Sequence, residues 1–325
     1  MTRRILDTAG ERLSVDCSLP WVTNLIEEGA RGEISSGEAS DASMKVRIEA
    51  DRRPFTTDGW ELLTRGAWRR GGELVVENVC TAGFDLHLRC TSERAEFTYR
   101  WRPPPRDRAA ARVLRSRFHL LARAVLVQYP VLWWAGTHGR APLHASACTT
   151  EGSTPLVAAA GGVGRSTVIL RELGNGGRST GDNLSVGDGT TVWGLVEPLR
   201  VEGGSGRRMP HGRREVPILD RAVALEPDSL VVLTRGAAHE STLSRFGSDE
   251  AARHLVTSTY MAGELRRYWA FAATLSAGTG FGPAHPAVVD VASSFAANLP
   301  CFSLALGERE APRIAEILEA LKAAA

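Results

Sequence analysis

The stretch "AAAGGVGRST", Ala158 to Thr167, governs how the second half of this 325-residue chain is read. It follows the phosphate-loop pattern G-x-x-x-x-G-K-[S/T] with two departures. Laid over Ala159 to Ser166, the pattern is met at Gly164 and Ser166. Ala159 stands where the first glycine belongs, and Arg165 where the lysine belongs. A phosphate loop works by geometry: successive backbone N–H groups point into a concavity, and the following helix adds its positive N-terminal end. Gly161, Gly162 and Gly164 supply the backbone freedom this needs. Arg165 keeps the charge and can hold a phosphate bidentately, yet it is longer and planar and cannot bring a compact ammonium to a transferring phosphoryl. Taken alone, the stretch is either a phosphate site or a plain strand-to-helix turn.

Its surroundings supply the expected order of elements. "PLHASAC" (Pro142 to Cys148) reads as a strand, "TTEGST" as a turn and "PLVAAA" (Pro155 to Ala160) as a second strand. After the glycines, "RSTVILRELG" reads as a helix from Arg165, closed by Gly174. Strands are expected in "GDNLSV", "TTVWGLV" and "SLVVLTR" (Ser229 to Arg235). Helices are expected over about 249–276 and 285–297. The chain ends in the strand "CFSLALG" and a helix whose face carries Ile314, Ile317, Leu318 and Leu321.

The first part reads as strand and helix mixed. "ERLSVDC", "MKVRIEAD", "GELVVENV", "FDLHLRC" and "AEFTYRW" predict an antiparallel sheet of four or five strands. "SLPWVTNLIEEGA" predicts a short helix, and the polar run from Arg31 to Ser43 a loop. A basic helix is expected from about Arg108, with Leu114, Phe118, Leu121 and Val125 as its apolar stripe. Its arginines suit an acidic partner or simply a solvated face. Trp133 and Trp134, followed by Gly and Pro, put a domain boundary near residues 135–141.

The second part resembles the HPr kinase/phosphorylase-like family, bacterial serine kinases whose nucleotide site is related to that of phosphoenolpyruvate carboxykinase. The resemblance spans roughly residues 140–325. It rests on "LHASAC" with His144 before the loop, "STGDNLSV" with Asp182 after the helix, "VWGLVEPLRV", and the closing strand and helix. It implies an α/β fold with a P-loop HPr kinase-like domain over 139–325 and an α+β accessory domain over 1–138. It further implies ATP and Mg²⁺ as cofactors and a protein or peptide hydroxyl as acceptor, for instance in a ribosomally made precursor peptide. The residues Gly161, Gly162, Val163, Gly164, Arg165, Ser166 and Thr167 would then wrap the phosphates. Asp182 would be the general base, His144 a polar or acid–base group beside the phosphates, and Ser166 a Mg²⁺ ligand. The family's second Asp, a metal contact, is here Asn183, a weaker ligand. With Arg165 and Asn183 both changed, the implied protein is either a kinase-like enzyme or a pseudokinase that binds nucleotide and serves as a recognition module. A weakened kinase would gain turnover on Arg165→Lys.

Bland readings of the same residues stand beside these. His144 suits a core strand, Asp182 a turn, and Glu197 either a metal contact or a solvated loop. The arginine-rich loop Gly203 to Glu215, with His211, suits either a phosphate cover or open solvent.

Composition fits a globular chain: 43% hydrophobic, 23% charged, net charge +2. That charge gives no case for nucleic acid. Lysine occurs only at positions 45 and 322, a bias toward arginine that weakens any inference from one Lys-to-Arg exchange. Five cysteines without C-x-x-C spacing argue against a disulfide framework or zinc site. No apolar run nears the ~18 residues that span a bilayer, and the N-terminus lacks the apolar core of a signal peptide. The expectation is a cytoplasmic protein with no membrane partner. Its oligomeric state is open, a homo-oligomer included.

Overall fold

The computed structural model describes residues 2–31, 33–34, 42–203, 206–209, 212–307 and 313–316. The expected terminal helix face at Ile317, Leu318 and Leu321, His211, and most of the expected loop from Arg31 to Ser43 lie outside them.

The first part is built on one sheet. Its strands are β1 (Thr2–Thr8), β2 (Glu11–Cys17), β3 (Met44–Glu49), β4 (Glu61–Thr64), β5 (Ala67–Arg70), β6 (Glu73–Val76), β7 (Phe84–Cys90) and β8 (Ala95–Trp101), with helix α1 (Pro20–Gly29) between β2 and β3. The order is β1-β2-β3-β8-β7-β6-β5-β4. The strict alternation of buried and half-buried residues along β3 is the period-2 pattern of a strand with one face on a core.

Eight strands stand where four or five were expected, and the sheet is mixed. β2 pairs parallel to β3, and β3 parallel to β8. For β2 and β3 the reason is α1: a helical crossover returns the chain in the same direction, which a short hairpin cannot do. β1, β4 and β5 are the strands the sequence hid. β1 closes onto β2 through a two-residue turn at Ala9 and Gly10, both with positive φ. That is hairpin geometry without the Asn-Gly or Asp-Gly that usually announces it.

The helical link begins three residues earlier than expected. α2 (Pro105–Val113) starts on a proline, which is tolerated at the first helical position because its missing N–H would have no partner there. The helix breaks at Leu114 and resumes as α3 (Arg115–Arg123). A wider π-type turn over Ala124–Gln128 leads into α4 (Tyr129–Thr137). Trp133 and Trp134 are fully buried in α4. Trp133 Nε1 donates to Ser276 Oγ at 3.0 Å, across to the second part of the chain.

The second part holds β9 (Ala141–Leu143), β10 (Ala145–Ala147), β11 (Pro155–Ala159), α5 (Arg165–Gly174), β12 (Ser185–Gly187), β13 (Val192–Gly194), β14 (Leu199–Val201), β15 (Arg214–Val216), β16 (Ala224–Leu225), β17 (Ser229–Arg235), β18 (Thr242–Arg245), α6 (Ser248–Met261), α7 (Tyr268–Thr279), α8 (Val288–Asn298) and β19 (Cys301–Leu306). Its main sheet has the order β10-β11-β17-β19-β18, with β11, β17 and β19 parallel. Every residue of β11 is buried, as expected for a parallel strand covered on both faces. Val168 and Ile169 of α5 pack with Leu199 and Leu304 in one apolar cluster. Leu255 of α6 and Phe295 of α8 pack with Leu156 and Leu230 in another. A third cluster joins the two parts: Tyr268, Phe271 and Leu275 of α7 lie in the same core as Leu74, Phe97 and Trp133. The chain is therefore mixed α/β, with several mixed sheets and covering helices.

"PLHASAC" is not one strand but two. β9 pairs with β12 in a four-stranded sheet, and β10 pairs with β11 in the main sheet. His144 is the single residue between them, at the point where the chain passes from one sheet to the other.

Candidate functional site

The glycine-rich loop leaves β11 at its carboxyl end, the side of a parallel sheet where ligands bind. Gly162 and Gly164 have φ of +84° and +127°, which a side chain would disfavour. Gly164 also lies against the end of β19, where an added Cβ would stand 3.1 Å from Leu306 Cδ1. At Gly161 and Gly162 an added Cβ would meet nothing within 4 Å, so this side of the loop is open. The helix begins at once, with Gly164 O accepting from the N–H groups of Thr167 and Val168. Among the described residues, the N–H groups of Gly161, Gly162, Gly164, Arg165 and Ser166 make no hydrogen bond. They are unfilled donors of the loop and of the helix start that follows it. Ser166 and Val163 are half-buried and Thr167 is exposed.

Arg165 does not face that opening. It is 5% exposed, and its guanidinium points inward. Nε donates to Asp182 O at 3.1 Å, Nη1 to His144 O, and Nη2 to Asn183 O at 3.1 Å and Asn183 Oδ1 at 3.3 Å. The side chain thus ties the first turn of α5 to the sheet switch at His144 and to the segment at Asp182–Asn183. Its own burial pulls its pKa down, opposed by the attraction of Asp182, Glu197 and Glu264. A guanidinium stays protonated regardless.

His144, Arg165, Asp182 and Asn183 are therefore brought together, and each is already engaged. Asp182 is fully buried. Its Oδ2 accepts from Asn183 Nδ2 at 2.9 Å and from the Arg200 N–H at 3.0 Å. Its Oδ1 has no hydrogen-bond partner among the described residues. The backbone N–H of His144 donates to Thr259 Oγ1 of α6 at 3.0 Å, while its Nδ1 is buried without a hydrogen bond among the described residues. Burial, then the charge of Arg165, pushes the His144 pKa down to about 3, so the ring is neutral near pH 7.

Glu197 is no solvated loop residue. It is buried, and its Oε1 accepts from the N–H groups of Asn183 and Leu184. Burial raises its pKa against the pull of Arg200, whose Nη2 lies 3.6 Å from Oε2. Arg200 also pairs with Glu264. Burial opposes the ionisation of Glu264, but the charge of Arg200, hydrogen bonding and the nearby His144 together outweigh it and its pKa sits low. Arg200 and Glu264 were not legible as site residues. Arg200 left a trace in the Glu-Pro-Leu-Arg spacing, which sets two opposite charges three apart; Glu264 left none.

The fit to a metal is poor. Asn183 Oδ1, the atom that would contact Mg²⁺, accepts from Arg165. Ser166, Asp182 Oδ1 and Glu197 Oε2, the last 3.6 Å from Arg200, remain as oxygen donors, and a nucleotide's phosphates would have to supply much of the coordination. The fit to phosphate is better, because the loop's free N–H groups need no side-chain cation. The arginine-rich loop is partly tied down. Arg207 pairs with Glu28 and approaches His119, and Glu215 forms a buried ion pair with Arg123.

In comparison with known proteins, no protein-family model matches the chain, and no curated protein matches its sequence.

Proposed function

We propose that this chain is a phosphate- or nucleotide-binding module, similar in plan to an HPr kinase domain, whose loop holds ATP while its transfer machinery is locked. One observation carries the reading: the guanidinium of Arg165 is bonded to three backbone carbonyls instead of facing the loop opening. Phosphoryl transfer depends on charge placed at the moving phosphoryl group. Here the loop's cation is withdrawn into the core, and the Asn183 oxygen is bound to it. What stays is a backbone cradle at a helix N-terminus, sufficient to bind phosphate.

A second reading, an ATP/Mg²⁺-dependent kinase acting on a protein or peptide hydroxyl, is favoured by Asp182 Oδ1. This carboxylate oxygen has no hydrogen-bond partner among the described residues and has the chemistry of a general base. Titrating ATP and Mg²⁺ into the protein calorimetrically, and following ATP in the same sample, separates the two. The module predicts heat of binding with ATP left intact. Heat with ADP accumulating would select the kinase, and no heat would reject both.

A further inference from the structure

We infer that the arginine-lined groove beside α2 and α3 is a docking site for an acidic polypeptide segment. The groove encloses ≈ 1000 Å³ and is walled by Arg52, Arg102, Arg108, Arg112 and Arg115 around Trp101, with no acidic side chain in its lining. Arg102 is neutralised by Asp85. The other four form no ion pair with a described residue. Four uncompensated guanidinium groups around one concavity form a strong site for carboxylates, which the planar fork binds bidentately.

The elements forming the wall point the same way. α2 buries none of its residues. Packing of an apolar face is the usual support of a short helix. Val113 and Leu114, at its end, are 82% and 48% exposed. A second cavity of ≈ 490 Å³ shares Ala111 and Phe118 with the first and is lined further by Asp107, Arg200 and Glu264, so the acidic segment is assigned to the first alone. The first cavity alone reaches the upper range of small-molecule pockets, about 1,000 Å³. An extended chain fits the groove, with its carboxylates on the arginines and its apolar side chains on the exposed Val113 and Leu114.

The groove's aromatic floor disfavours single-stranded nucleic acid, which needs open ring faces for base stacking. Trp21 is packed against Trp101, Phe118 and His119, with ring centroids at 5.4, 5.7 and 6.3 Å. Phe118 packs on Trp101 at 5.4 Å. These rings are engaged with one another. The inference does not depend on the phosphate loop, since none of the groove's walls belongs to it.

The test uses the full-length protein and a fluorescein-labelled twelve-residue peptide of alternating Glu and Phe, followed by anisotropy at about 0.1 M salt. Saturable binding that weakens with added salt is expected. The Arg108→Ala/Arg112→Ala/Arg115→Ala variant should bind about tenfold or more weakly, with an unchanged circular dichroism spectrum, because all three arginines are exposed. A Lys/Phe peptide of equal length should not bind. Three results would overturn the proposal: no binding of the acidic peptide, undiminished binding by the triple variant, or tighter binding of a twelve-nucleotide single-stranded DNA. Loss of ATP binding with peptide binding retained would reject the phosphate reading and leave this one standing.

Discussion

Arg165 bonds to carbonyl groups on two separate segments, His144 at the sheet switch and Asp182–Asn183 after α5. A lysine could reach one or two of these acceptors and would leave the rest buried without a donor. Each hydrogen bond to a charged group contributes roughly 1.5–3 kcal/mol. Arg165→Lys should therefore destabilise the fold by about 2–4 kcal/mol in denaturant unfolding, and it should not raise ATP turnover. Unchanged stability would show that the arginine is not a strut. His144 gives a test in pH. The folded state keeps it neutral down to about 3, while the unfolded chain protonates it near its ordinary 6.5. Below 6.5 the unfolded state thus binds more protons, so stability falls as pH falls from 6.5 toward 3. His144→Gln should flatten that part of the stability–pH profile; an unchanged slope would contradict a buried neutral ring. At this scale the sequence showed which residues gather but not what they do. An arginine in a lysine position reads as a positive charge either way, and whether it faces the ligand or the core depends on segments distant in sequence.

The loop and its helix were the most legible element. "RSTVILRELG" forms a helix over the expected residues, because glycines free the chain before it and Gly174 ends its apolar pattern. "PLHASAC" was misread as one strand because the change of sheet at His144 depends on partners, β12 and β11, that local alternation does not reveal. The mixed character of the first sheet was hidden similarly, since strand direction is set by the connections, α1 between β2 and β3 and the run of β4 to β7 between β3 and β8, and not by the strands. The loop makes its own prediction. Gly161 lacks positive φ and faces open space, so Gly161→Val should change stability by no more than about 0.5 kcal/mol. It should weaken ATP binding about tenfold, roughly 1.4 kcal/mol, by crowding the open side of the loop. Calorimetric titration of the variant checks this, and undiminished affinity would remove the phosphate from this loop.

Across the whole molecule, the two parts share more than a linker. Tyr268, Phe271 and Leu275 lie in the core of the first sheet. Arg221 Nη2 donates to Asp7 O at 2.6 Å, and Arg123 forms its buried pair with Glu215. Removing one partner of a buried ion pair leaves an uncompensated charge and costs about 3–5 kcal/mol. Glu215→Ala should lower stability by that amount, with tryptophan fluorescence and far-ultraviolet circular dichroism reporting one coincident transition. Two separated transitions would mean that the parts unfold independently. No helix among the described residues is long and apolar enough to cross a membrane. The central claim is that the loop binds nucleotide while Arg165, turned into the core, leaves transfer unassisted. Phosphorus NMR of ATP and Mg²⁺ with the protein and a mixture of serine-, threonine- and tyrosine-containing peptides tests it most directly. The account predicts that the ATP resonances shift and broaden while no phosphomonoester resonance appears. ATP resonances unmoved by the protein, or a phosphomonoester resonance growing with time, would contradict it.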